Sequence, residues 1–542
     1  MRFILISFLL ITLSGCFKGE KVDLIIHNAQ IHTMDNKLSV HEAMAVHNGE
    51  IIEIGPERSI LNRFRADETI NAEKKDVYPG FHDGHGHIMS LASQRLVADL
   101  TGSESFYEML SRLEKFVQKN KPEFLVGRGW DQSLWGEDDL PTNKLLNERF
   151  PNIPVALTRV DGHAMLVNEA AFKLVGLDTI SSIEGGKIIF ENDTPTGLIL
   201  DNAIDLVTAK IPRASDEALI SEILTIQDEL LAYGITHVHE AGIHYNDLQL
   251  LDKLASENKL KIHIYAMLFT SEANKNFVKE EGIYKNNKLS VRSFKILMDG
   301  ALGSRGACLL HPYSDMPNEN GFLLTSVEEM KVHTDFAKEH GYQVNTHCIG
   351  DSSNRIMLNH IADLMNDTPD HRWRIEHAQV LHPDDFDLFT ASGAIPSVQP
   401  THATSDQRWA EKRLGKERLE NSYAYKTILN KRGVLVLGTD FPVEDFDPFA
   451  TIHAAVQRKN TDNEPSTGFL TDEKLSMDDA MKGLTIWAAQ GCFEEHQLGS
   501  LEKGKKATFT ILDQPFGNTR NFKQNYAFKT FVSGACVFDM DL

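Results

Sequence analysis

The sequence predicts an α/β protein: a (β/α)8 TIM barrel with β-rich segments at both ends and an insertion within the barrel. Three observations carry this. Strand-like apolar runs alternate with helical patterns through the middle of the chain, as in a parallel sheet wrapped by helices, and so many repeats favour closure. Several runs end in polar residues at their C-terminal tips, where barrel enzymes build their sites. Short alternating strands occupy residues 22–54 and again the last forty residues.

The N-terminal unit reads as strands at 22–26, 30–34, 43–46 and 51–54, with Asn48-Gly49 as a hairpin turn before the last. At the far end, 507–512 and 529–538 are strand-like, with a turn at Ser533-Gly534. These two segments could pair in space and enclose the middle; the sequence alone does not decide it. Between them lie an amphipathic helix over 105–118, a short strand at 125–127, and a long helix over 217–232 running into 234–239. Further strands are expected at 261–268, 291–298, 342–347, 373–378, 394–399 and 434–437. Residues 100–215 are less regular and read as an insertion, with Trp130 and Trp135 packing its core or walling a pocket. The resulting division is 1–21, a signal and short tether; 22–77, an N-terminal β-unit; 78–490, the barrel; and 491–542, a C-terminal β-unit.

Length suits two to four domains, and the apolar content of 42% and charged content of 24% are those of a globular protein with a sizeable core. A formal net charge of -22 argues against nucleic acid and anionic membrane surfaces as partners. Arg2 is followed by an apolar run to Leu13 and then Ser14-Gly15-Cys16, which has the form of a bacterial lipobox. The expectation is a lipid-anchored protein of the cell envelope, attached at Cys16 by a tether reaching at most about 15–18 Å. An ordinary signal peptide cut nearby, or an uncleaved anchor, is the alternative. The other four cysteines, Cys308, Cys348, Cys492 and Cys536, form no C-x-x-C pair and suggest no disulfide framework.

The chain is organised around Tyr78 to Ile88, Y-P-G-F-H-D-G-H-G-H-I. Side chains two apart on a strand share a face, so His85 and His87 can converge on one divalent ion, zinc suiting nitrogen ligands. A surface pair is the plain alternative in a chain with 23 histidines. Further strand tips add His239-Glu240, Lys295, His347, His377 and Asp440. A hydrolytic site needs imidazoles and carboxylates to hold the ion and a base to take and return a proton, a part open to Asp440. Glu240, assigned to the third strand, supports the site rather than binding metal.

The order of these motifs resembles the amidohydrolase superfamily, and more closely amidohydrolase 3, the YtcJ-like and N-substituted formamide deformylase-like proteins. Besides H-x-H, the resemblance rests on Gly129-Trp130-Asp131-Gln132, Asp161-Gly162-His163-Ala164 with Asn168, and Asp299-Gly300-Ala301-Leu302-Gly303-Ser304-Arg305. It continues through Thr346-His347-Cys348-Ile349-Gly350-Asp351, Ile375-Glu376-His377-Ala378, Val398-Gln399-Pro400-Thr401-His402-Ala403 and Gly438-Thr439-Asp440-Phe441-Pro442, to Leu498-Gly499-Ser500 near the end. It implies a barrel flanked by a composite β-sandwich from both termini. It also implies metal ligation by His85 and His87 on the first strand, His347 on the fifth and His377 on the sixth. Asp440 on the eighth would be ligand and general base. Lys295, at the position that bridges two metals as a carbamate in related enzymes, is either carbamylated or an ordinary lysine beside one ion.

The activity implied is hydrolysis of a non-peptide carbon–nitrogen bond, an amide or N-formyl group of a small molecule, by metal-bound hydroxide. His163 is a candidate to contact the substrate and help stabilise its oxyanion, and Arg305 to clamp a substrate carboxylate or carbonyl, with loop hydrogen bonds and a loop salt bridge as their plain alternatives. His402 may as easily be structural as face the pocket. Four positions depart from the family's usual wording around the motifs: His82 and Gly84 before H-x-H, Asn147, and Thr508; none removes a ligand. Alternation places His82 away from the metal. Ester or lactone hydrolysis on the same site, and a non-catalytic binding protein keeping the barrel, are the rival functions.

Overall fold

The computed structural model describes residues 19–136, 141–176, 183, 185–192, 194–514 and 525–542. The lipobox and Cys16 lie outside the described residues. Eight parallel strands form a nearly closed barrel: β1 (Phe81–Gly86), β2 (Ile235–Ile243), β3 (His263–Phe269), β4 (Leu289–Leu297), β5 (Gln343–Cys348), β6 (Arg374–His377), β7 (Ile395–Val398) and β8 (Val436–Leu437). Neighbours pair in sequence order, as expected of a barrel whose helices return each crossover on the outside. β8 is two residues long, so the closure to β1 is carried by the segment after it. Asp440 N donates to the His85 carbonyl at 2.7 Å and His87 N to the Phe441 carbonyl at 2.9 Å.

This approach needs glycine at Gly84. A Cβ there would lie 2.6 Å from the Leu437 carbonyl oxygen and collide with the Val436 side chain. Asp83 fastens the same seam: its carboxylate accepts from Thr439 N at 3.0 Å, Thr439 Oγ1 at 2.6 Å and His85 N at 3.1 Å. The main apolar cluster runs from these strands into the surrounding helices, among them Asp216–Ala232, whose buried Leu219, Ile223, Ile226, Leu230 and Leu231 follow helical spacing.

The insertion forms its own six-stranded sheet from residues between Ala98 and Asp201. Its alternation is two-sided. Val155, Leu157, Leu166, Leu198 and Leu200 pack with the helix Phe106–Asn120 on one face. Ala156, Met165, Val167 and Ile199 pack with the helices Glu169–Val175 and Asn202–Thr208 on the other. Period-two burial on both faces is what a sheet between two helical layers requires. Trp130 is fully buried here, its Nε1 donating to the Leu157 carbonyl at 2.7 Å, and Trp135 donates to the Ser103 carbonyl; both are packing residues. Because these strands pair among themselves, Glu240 lies on the second barrel strand rather than the third.

Two further sheets come from the ends of the chain. One has four strands, all before residue 72; the other has six, in which Phe509–Leu512 pairs antiparallel with Asp76–Pro79. Leu24, Ile26, Met44 and Val46 of the first and Ile31, Val77, Phe509 and Ile511 of the second belong to one apolar cluster.

Candidate metal centre

Side chains from four barrel strands and the segment after β8 meet above the C-terminal rim. His85 and His87 leave the end of β1, Lys295 stands near the end of β4, His347 near the end of β5 and His377 at the end of β6. Asp440 follows β8. Its Oδ1 is 3.0 Å from His87 Nε2 and 3.6 Å from His85 Nε2. Lys295 Nζ is 3.1 Å from His85 Nε2. The His377 ring lies 4.9 Å from that of His85 and 4.4 Å from that of His347. His85, His377 and Asp440 each offer a ligand atom within 4.8 Å of the other two. His85, His87, Lys295, His347, His377 and Asp440 therefore converge; of the other strand-tip residues, His239 Nδ1 lies 2.9 Å from Arg374 Nη1 and does not join them, nor does Glu240.

Two of the converging residues depend on unusual backbone. His377 has φ 71° and Asp440 φ 63°, a region that favours glycine and disfavours other residues. The effect is visible on β6, where consecutive residues reach the same imidazole: Glu376 bonds His85, and the His377 ring lies against it. Regular strand alternation would send them to opposite faces.

The imidazoles are oriented from behind. His85 Nδ1 lies 2.5 Å from Glu376 Oε2, and His377 Nδ1 lies 2.8 Å from Gln399 Oε1. With Nδ1 carrying the proton toward those oxygens, each Nε2 keeps a free lone pair, the form a cation needs. Asp299, from the Gly-rich motif, accepts from Ile349 N (3.0 Å), Gly350 N (2.8 Å), Cys308 N (2.9 Å) and Ser353 Oγ (2.7 Å), fixing the turn after His347. Glu240 accepts from Ile88 N and Met89 N, holding the helix that begins beyond His87. Neither Glu376, Gln399 nor Asp299 was singled out from sequence; each is a buried polar residue inside a motif whose neighbour drew attention.

The electrostatics suit a divalent cation. Burial pushes His85 down to about 4 and holds His347 and His377 well below the ordinary histidine range, so all three are neutral donors. His347 Nε2 is buried without a hydrogen-bond partner. Asp440 is held well below the usual carboxylate range: burial opposes this, but His85, His402 and His87 outweigh it. Neutral imidazoles, an ionised carboxylate and an orphaned nitrogen fit a divalent ion of borderline softness. His85, His87, His347, His377 and Asp440 would hold it.

The centre opens into a cavity of about 580 Å³, roofed by the insertion through Arg128, Arg159, Asp161 and His163. His163 Nδ1 lies 2.8 Å from Asp201 Oδ1, and its ring 5.2 Å from His347. Although burial opposes it, Asp201 raises the His163 pKa, favouring a donor at the cavity wall. His402 bridges Asp440 and Glu444, both at 3.2 Å. Arg305 is not brought to the cavity: its guanidinium pairs with Asp315 at 2.9 Å, beside Arg413, so it holds a loop. His82 stacks on His237 at 4.1 Å, away from the metal ligands as alternation requires.

The amidohydrolase family model matches residues 68–538. The YtcJ protein of Bacillus subtilis is 30% identical over 95% of this chain and 99% of its own. The N-substituted formamide deformylase of Arthrobacter pascens is 24% identical over 95% of this chain and 98% of its own. A metal-dependent hydrolase of Pyrococcus horikoshii superimposes with a TM-score of 0.73 at 28% identity, over 91% of this chain and 97% of that one. The chain is a member of the amidohydrolase family.

Proposed function

We propose that this protein hydrolyses a non-peptide carbon–nitrogen bond in a small amide or N-formyl compound, with Asp440 as general base. The observation that carries the reading is the meeting of His85, His87, His347, His377 and Asp440 at one cavity floor, from positions spread over more than 350 residues of sequence. The deformylase activity named for the Arthrobacter relative supports the bond type. A bound divalent ion, zinc on the donor set, would polarise the substrate carbonyl and bring the pKa of water to about 7.

The chain's own residues do the rest. Asp440, ionised and within 3.0 Å of His87 Nε2, is placed to take a proton from attacking water and return it to the departing nitrogen. His163, backed by Asp201, is placed to donate to the oxygen on which negative charge develops. The insertion excludes water from one side. A two-metal centre bridged by carbamylated Lys295 is the form of the site we favour. The sheets shared by the two termini are read as a composite β-sandwich. Residues 1–16 are read as an export signal ending in lipidated Cys16, which would anchor the enzyme at the periplasmic or outer face of a bacterial envelope; labelled fatty acid should then enter the wild type and not C16A.

Asp440→Ala tests the base. With bound metal verified by elemental analysis, turnover of an amide panel should fall by about 10³ or more. Undiminished turnover in a metal-loaded variant removes Asp440 from the mechanism. Hydrolysis of esters or lactones in preference to every amide on the panel would instead favour the oxygen-ester reading of the same site.

A further inference from the structure

Among the charged groups lining the cavity, Arg128 has no counter-ion of its own. Among the described residues its guanidinium makes no hydrogen bond and no ion pair, and its Nε is buried without a partner. The neighbouring carboxylates are already engaged. Asp161 meets Arg159 Nη1 at 2.5 Å and accepts from His163 N at 3.1 Å. Asp131 takes Arg159 Nη2 at 2.8 Å, and Asp440 is held by His87 and His402. Arg128 stands beside the loop that carries His163: a Cβ at Gly162 would lie 3.5 Å from its Nη2. A permanent cation half-buried in a cavity wall, with its Nε buried and unpartnered, gains when an anion arrives.

We propose that Arg128 receives a carboxylate of the substrate, so that the bond cleaved belongs to an N-acyl or N-formyl amino acid or another amide bearing one carboxylate. This rests on the hydrolase reading above. A guanidinium presents paired N–H donors that match a carboxylate's two oxygens. With Arg159 engaged by Asp131 and Asp161, and Arg408 beside Asp131, the unpaired Arg128 compensates a single negative charge; a phosphate dianion would leave one uncompensated next to acids. Leu302, Phe269 and Trp409 also line the cavity and suit an apolar side chain on the same substrate.

The test uses the metal-loaded full chain with N-formyl-leucine and its neutral counterpart N-formyl-leucinamide. The wild type should prefer the acid in kcat/KM by about 100-fold or more. In R128M that ratio should fall toward one, chiefly through KM for the acid, with R128K intermediate. A wild type that prefers the neutral amide, or a ratio unchanged in both variants, overturns the proposal. Should the wild type hydrolyse neither compound, the hydrolase reading fails on this panel while Arg128 is still decided by calorimetry. Tenfold tighter binding of the acid than of the amide, lost in R128M or reduced in R128K, supports the carboxylate site; equal binding overturns it.

Discussion

Glu376 Oε2 lies 2.5 Å from His85 Nδ1, and both side chains are fully buried. The pair sets the tautomer of the imidazole on which Lys295 and Asp440 also converge. Arg374 Nη2 supports the carboxylate at 3.0 Å. Burial opposes ionisation of Glu376, yet Arg374 and His85 hold it well below the usual carboxylate range. Glu376→Gln keeps the shape and removes the charge, so metal affinity should fall by about 10–100-fold. Competition with a chelator measures it. Affinity equal to wild type would show that His85 needs no carboxylate behind it.

The seam between first and eighth strands offers a test of fold and site together. Gly84→Ala places a Cβ 2.6 Å from the Leu437 carbonyl oxygen, and backbone yields less readily than a side chain. The strands must part, at a cost of about 1–3 kcal/mol or more. Since Asp440 N bonds the His85 carbonyl across this seam, metal binding should weaken alongside stability. Denaturant unfolding of the apo-protein and metal titration read the two effects. An unfolding midpoint unchanged from wild type would mean that the seam relaxes freely.

Much of this arrangement was legible before any coordinates. The barrel strands were readable because each is an apolar run bounded by polar residues, and the ligands because they close those runs. His82 was placed by alternation alone, and correctly sent away from the ligands. What could not be read was contact between distant segments. Nothing local distinguishes Glu376, which orients His85, from the buried Glu240, which holds a helix. Arg305 shows the converse: a guanidinium after a glycine-rich turn suggests a ligand clamp, but Asp315 and Arg413, ten and 108 residues on, settle its position. The positive φ at His377 and Asp440 also lies beyond sequence: Asp and His are enriched there among non-glycine residues, but nothing local marks these two among the chain's many.

His402 gives a prediction in pH. Burial lowers its pKa, but bonds to Asp440 and Glu444 carry it up to about 10, from an ordinary 6.5. A group whose folded pKa is raised contributes stability that is complete below 6.5 and lost as pH climbs through 10. Metal-free wild type should therefore lose stability across this interval. In H402Q the alkaline slope should be shallower. Urea unfolding at intervals from about pH 6 to 10 decides; parallel slopes in the two proteins would assign the alkaline loss to other groups.

The proposed carbamylation of Lys295 gives a further prediction, and the chemistry it needs follows from the residue's position. Nζ stands 3.1 Å from His85 Nε2 in a buried site, and a free ammonium there would repel the ion its neighbours are built to hold. Burial pushes the amine down to about 8, although Glu376 and Asp440 pull the other way. At that pH about half the amine is neutral and nucleophilic, whereas an exposed lysine is almost wholly protonated. Attack on carbon dioxide forms the N–C bond and releases an amine proton, leaving a carbamate whose oxygens can ligate. Carbamylation at fixed dissolved carbon dioxide should then increase as pH rises through about 8, because the neutral fraction does. Loading the apo-protein with metal and ¹³C-bicarbonate should give a carbamate carbon resonance that is absent in K295M. That variant should also bind one ion fewer per chain. A wild-type protein fully active after rigorous removal of carbon dioxide, with unchanged metal content and no such resonance, would leave Lys295 an unmodified lysine beside a single ion.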